Sequence, residues 1–151
     1  MRKKMRVNII ANSDTKEIFA EIHCTEVTAE VRRLESYIEN FDGRIKGECD
    51  KEVSYVDIKD ILYFESVDNK TFIYTKDKVL TAELRLYEIE KKLSERDFFR
   101  CSKSVVVNIG KIVKLKPEIS RNIIATLDNG ESVVISRRYV PELKRIIGAE
   151  D

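Results

Sequence analysis

The period of the apolar positions changes along this chain, and the changes divide it. Residues 6–12 and 17–24 alternate apolar with polar side chains, which predicts two opening strands joined by a turn at Asn12-Ser13-Asp14. Val27, Val31, Leu34, Ile38 and Phe41 then recur three and four apart and form the stripe of a helix. Thr25 is its expected N-cap, Glu26 suits the positive end of its dipole, and Gly43 is its stop signal. The helix is expected to dock through that stripe on the opening strands.

Beyond Gly43 the runs become short, β-branched and aromatic. Strands are predicted over residues 44–49, 52–56, 61–66, 71–75 and 78–81, with tight turns at Asp68-Asn69-Lys70 and Lys76-Asp77. Leu86, Ile89 and Leu93 mark a second helix over 83–94. Further strands are expected over 104–109 and 112–115, and Pro117 forbids a continuing central strand. Strands 122–127 and 131–135 flank Asp128-Asn129-Gly130, a hairpin signal. A closing helix over 139–147 tolerates Pro141 in its first turn and ends at Gly148. Helices do not alternate regularly with strands, so the class is α+β and β-rich. The expected division is a ββα N-terminal extension over residues 1–44, a dimerisation or regulatory element, and a mostly β unit over 45–151.

Composition narrows the function. With 151 residues, 42% hydrophobic and 36% charged, the chain has a globular balance and room for a core without a metal or disulfide staple. No apolar run reaches the ~18 residues of a membrane span, so a soluble, cytoplasmic protein is expected. Cys24, Cys49 and Cys101 form no C-x-x-C pair and are read as reduced thiols. His23 is the single histidine, expected as an ordinary strand residue with Cys24 on the opposite face. Asp57 and Asp60 sit in a charged turn, and none of the glycines builds a phosphate-cradling loop. Metal, cofactor and enzymatic chemistry are therefore not expected, and a phosphoacceptor domain would not fit in the first 44 residues.

The net charge of +1 hides an asymmetry. Residues 96–145 hold 11 Lys/Arg against 5 Asp/Glu, whereas the remainder holds 17 against 22. The basic residues sit with short polar ones in loops: Arg100-Cys101-Ser102-Lys103-Ser104, Ser136-Arg137-Arg138 at the start of the closing helix, and Asn69-Lys70 on a hairpin. Lys and Arg neutralise phosphate or read guanine, and hydroxyl and amide groups suit phosphate or base edges. The alternative is that these are solvated loop charges, or that they meet a protein partner and not DNA.

Three motifs in order shift that balance. Phe99 to Ile112 fits the pattern F-R-x-x-x-S-x-x-V-N-x-x-x-I, Ile61-Leu62-Tyr63-Phe64-Glu65-Ser66 fits I-x-Y-x-E-S, and Ser136-Arg137-Arg138-Tyr139 fits SR-x-Y. Together they resemble the LytTR class of DNA-binding domains over about residues 45–148. The resemblance implies small antiparallel sheets whose loops enter successive major grooves of double-stranded promoter DNA, in a stand-alone regulator bound as a homodimer. For short members it also implies control by a regulatory membrane partner.

Carried over position by position, the implied contacts are Lys70 (with Asn69 and Thr71 as alternatives), Ser102, Lys103 and Arg137. Lys103 and Arg137 are assigned to bases; Ser102, Arg138, Arg100 and Lys70 are assigned to phosphate. Members often carry histidine in the first two loops and this chain does not, which bears on base preference. Phe99, Val105, Val107 and Ile109 are expected to support the loops from the core, and Asn108 to hold a turn. A redox role for Cys101 requires that its thiol be accessible. The competing reading is a protein-interaction regulatory module that does not itself bind DNA.

Overall fold

The computed structural model describes residues 5–39, 43–94 and 96–148, apart from the side chains of Ser36 and Glu39. The first helix is α1 (Ala29–Glu39), followed by strands β1 (Arg44–Cys49), β2 (Glu52–Asp57), β3 (Ile61–Val67), β4 (Lys70–Thr75) and β5 (Val79–Ala82). Then come α2 (Leu86–Lys92), β6 (Phe98–Arg100), β7 (Val105–Asn108), β8 (Ile112–Pro117), β9 (Ile123–Leu127), β10 (Ser132–Ile135) and α3 (Val140–Ile147). The class is α+β and β-rich, as the patterning predicts.

Seven strands form one sheet in the order β2-β1-β5-β4-β3-β7-β6, and β10-β9-β8 form a second, with every pairing antiparallel. The turns follow from the residues in them. Asp68 and Asn69 take φ of 50° and 67° between the paired residues Val67 and Lys70. This is a two-residue turn with the handedness that matches strand twist, and Asn and Asp tolerate it. In the β9–β10 hairpin only Gly130 (φ 91°) is left-handed, and its N–H donates to the Leu127 carbonyl. Pro117 closes β8, an edge strand, where a missing N–H costs no ladder bond.

Two cores lie on opposite faces of the large sheet. One packs Ile45, Ile61, Phe64, Ile73, Leu80 and Val106 against Leu86, Ile89 and Leu93 from the α2 region. The other packs Leu62, Phe99, Val105 and Val107 against the small sheet and Leu143 of α3. β7 is therefore buried along its whole length. On β3 the register shifts between Ile61 and Tyr63, so Leu62 and Tyr63 both serve the second core while Ile61 and Phe64 serve the first. A bulge does this because one strand holds an extra residue. Asn108, 7% exposed, donates from Nδ2 to the Ile61 carbonyl (2.9 Å) and accepts the Gly110 N–H (3.0 Å). It holds the expected local turn and ties it to β3.

The opening differs from its prediction. Residues 6–12 and 17–24 form no strand, and Val7, Ile9, Ile10, Ile18 and Phe19 are 70–97% exposed. A strand requires a paired neighbour for its backbone groups, and among the described residues no strand pairs with these. The expected ββα extension is thus an extended segment followed by a helix. Thr28, not Thr25, caps α1, accepting the Val31 N–H on its hydroxyl (3.3 Å). Val31 and Leu34 are half-buried and Val27 is 61% exposed; Phe41 lies outside the described residues. The helix is instead held by Tyr37, whose hydroxyl donates to Asp97 at 2.7 Å. Burial and that carboxylate push the phenol up to about 12.

Candidate nucleic-acid interface

The basic loops gather because three strand ends coincide. β3 and β7 pair with Glu65 opposite Val105, so the end of β3 meets the start of β7, and the Ser66 N–H donates to the Ser104 carbonyl (2.8 Å). The β3–β4 hairpin with Asn69 and Lys70 projects just beyond. β10 reaches the same end, where the Ser136 N–H donates to the Cys101 carbonyl (2.9 Å). The small sheet and the large one are thus stitched together at the loops. Ser102, Lys103 and Ser104 line one wall of an open groove, and Asn122, Ser136, Arg137, Arg138 and Tyr139 line the rest.

The 101–104 loop is rigid for identifiable reasons. The Cys101 N–H donates to Val105 (3.0 Å), and Ser104 donates to the Ser102 hydroxyl oxygen (3.3 Å). Arg100 turns inward: its guanidinium donates to the carbonyls of Ser102 (2.7 Å) and Lys103 and pairs with Glu90 (3.3 Å). With 21% of its side chain exposed, Arg100 is engaged by its own loop. Lys103 is left pointing outward and exposed.

The opposite wall is held by a residue that the motif reading missed. Asn122 Oδ1 accepts the Arg137 N–H (2.9 Å), fixing the start of a 3-10 turn over Arg137–Tyr139 before α3. Asn122 precedes β9, 15 positions away from Arg137, so no local pattern pairs them. Arg138 lies 5.9 Å from the Tyr139 ring centre, a loose cation–π contact. Neither Lys103 nor Arg137 has an ion-pair partner among the described residues, so both keep their charge available.

Cys101 lies beneath the groove, fully buried, with its thiol donating to the Val105 carbonyl at 3.6 Å. Burial pushes the thiol up to about 12, which leaves it protonated and inert, against a redox role. Cys24 and Cys49 are exposed. A thiol reagent is expected to label those two at once in native protein, and Cys101 only as fast as the chain unfolds. Prompt labelling of all three would contradict the buried assignment. The unfolded chain loses this proton first, near the usual thiol value. The stabilisation from Cys101 is therefore complete below about pH 9 and is lost as pH rises toward its folded value. Urea titrations of wild type and Cys101→Ala at about pH 8 and about pH 10.5 should show the shallower alkaline loss in the variant.

His23 and Glu21 form an exposed pair at 3.2 Å, and no metal-holding group of His, Cys, Asp or Glu is present among the described residues. No described helix is long and apolar enough to cross a membrane.

The chain as a whole is similar to known proteins. Over 142 residues the chain is 29% identical to an uncharacterized HTH-type transcriptional regulator of Staphylococcus aureus strain NCTC 8325, covering 93% of this chain and 96% of that one. A counterpart in the bovine strain RF122 is 30% identical over the same span. Among solved structures, the fold matches the LytTr DNA-binding domain of a Bacillus cereus protein described as a methyl-accepting/DNA response regulator. That match has a TM-score of 0.66 at 26% identity and covers 70% of this chain and 96% of that domain. Strands separate α1, α2 and α3 here, so the "HTH-type" wording of the relatives does not describe how this chain is built. The family model of the LytTr DNA-binding domain matches residues 51–148, and the chain belongs to that family.

Proposed function

We propose that this protein is a cytoplasmic, sequence-specific transcriptional regulator that reads the major grooves of promoter DNA with its inter-strand loops. Residues 45–151 form the DNA-binding unit and residues 1–44 serve dimerisation. The observation that carries the reading is the groove that Lys103 and Arg137, unpaired and exposed, line from two walls fixed by backbone hydrogen bonds and by the Asn122 side chain. Positioned cations read bases well because little freedom is lost on binding. Lys103 and Arg137 read base edges, while Ser102, Arg138, Lys70 and Asn69 meet phosphate. Arg100 positions the loop and touches no DNA. The protein carries out no chemistry of its own, and a regulatory membrane partner would supply its input.

The test is solution binding to a pool of genomic promoter fragments, followed by a salt titration on the best one. Selective enrichment, with affinity falling steeply as salt rises, is the expected result. No enrichment at low salt from folded protein would favour the protein-interaction reading instead. The same titration separates the roles of two residues. Lys70→Ala should lower the salt slope by about one. Arg100→Ala should weaken binding with its slope unchanged, since it releases the loop and removes no phosphate contact. A slope reduced by about one in Arg100→Ala would return that residue to the phosphate set.

A further inference from the structure

One face of the large sheet is only half covered. Cross-strand partners place Tyr63, Glu65, Phe72, Tyr74, Val79, Thr81, Glu48, Lys46, Val53 and Tyr55 on the face that also bears Val105 and Val107. The small sheet covers this face where β3, β7 and β6 lie. Over β4, β5, β1 and β2 it lies open, with Val53 51%, Tyr55 64% and Val79 48% exposed and a shallow depression beside Phe72. β2 is also an edge strand.

The same chain carries an apolar segment with no place to go. Residues 5–24 alternate like a strand, yet Ile9 is 93% and Ile18 97% exposed. Free strand edges and alternating arms are complementary surfaces. Within one chain the segment does not lie on the open face, since both remain exposed.

From this juxtaposition we infer that the open half of the sheet, at β2 and β1, receives residues 5–24 of a second copy, the two copies exchanging arms reciprocally. At roughly 100 Å² per buried apolar side chain, the alternating set Val7, Ile9 and Ile18 supplies roughly 300 Å². The receiving residues Val53, Tyr55 and Val79 add roughly as much, for roughly 600 Å² per copy, at the low end of specific interfaces, which bury roughly 800 Å² per partner at standard size. An exchange of this kind is closed by a two-fold axis, so the dimer does not grow into a filament. The inference rests on the homodimer in the function proposed above and specifies its interface.

Sedimentation of the full chain at micromolar concentration tests it, with Ile9→Asp/Ile18→Asp altering the arm and Tyr55→Asp altering the face. All three positions are exposed in one chain, so circular dichroism should stay at its wild-type form. Wild type is expected to be a dimer and both variants monomers. A monomeric wild type would overturn the inference. So would a Tyr55→Asp protein that remains dimeric, since the arms would then pair elsewhere. Anisotropy on a single half-site reads DNA binding separately. Both variants should match wild type there and lose about 10²-fold on a two-site fragment. Absent DNA binding with the expected sedimentation would defeat the DNA reading and leave the arm exchange standing.

Discussion

The double variant Lys103→Ala/Arg137→Ala is expected to lose about 30-fold or more of its preference for its promoter site over scrambled DNA of the same length. Each well-placed base contact is worth ~1–3 kcal/mol of discrimination, so the pair removes about 2–6 kcal/mol if the two act independently. They line one groove, and any coupling between them shifts the measured loss from that sum. The reason to expect so large a loss is structural. Arg100 and the Ser102 hydroxyl fix the loop that carries Lys103, and Asn122 fixes the turn that carries Arg137. Competition anisotropy at one salt concentration measures both affinities. Equal losses on preferred and scrambled DNA would reassign the two side chains to phosphate, and no loss on either would remove the groove from the interface.

The second large effect concerns the scaffold. Phe64→Ala should destabilise the fold by ~3–5 kcal/mol, the usual cost of emptying a buried aromatic site. Phe64 is fully buried on the central part of β3 and packs at 53° to Phe98, with ring centres 5.7 Å apart. Its neighbours come from several strands and α2, so the cavity cannot close by moving one side chain. Against a total stability of about 5–15 kcal/mol, such a loss brings a large unfolded fraction within reach of mild urea. A midpoint shift equivalent to less than about 1 kcal/mol would show that the core around β3 repacks freely. The variant also separates scaffold from contact. At temperatures where it remains folded, its sequence preference should be that of wild type, since Phe64 lies on the face away from the groove core.

Local chemistry determined much of this protein before any tertiary contact was considered. β1, with its alternating burial, lies where the period-two pattern puts it, and the turns at Asp68-Asn69 and Asn129-Gly130 lie where left-handed backbone is tolerated. Pro141 and Gly148 bracket the last helix as their backbone preferences require. The three motifs marked the family and the loops. β6 was not separately legible: three residues are too short to show a period, and only pairing with β7 makes Phe98–Arg100 a strand.

Tertiary structure alone decided what the loop residues do. Arg100 and Lys103 look equally basic in the sequence, yet one is consumed by the carbonyls of Ser102 and Lys103 while the other faces outward. Asn122 reads as a strand start and proves to hold Arg137 across 15 positions. The opening strands failed for a related reason. Alternation records that one face of a segment seeks burial, and only the rest of the assembly determines whether a neighbour supplies it. Helix, turn and strand preferences are local energies written in neighbouring residues, whereas a side chain's availability to DNA depends on which distant backbone groups compete for it.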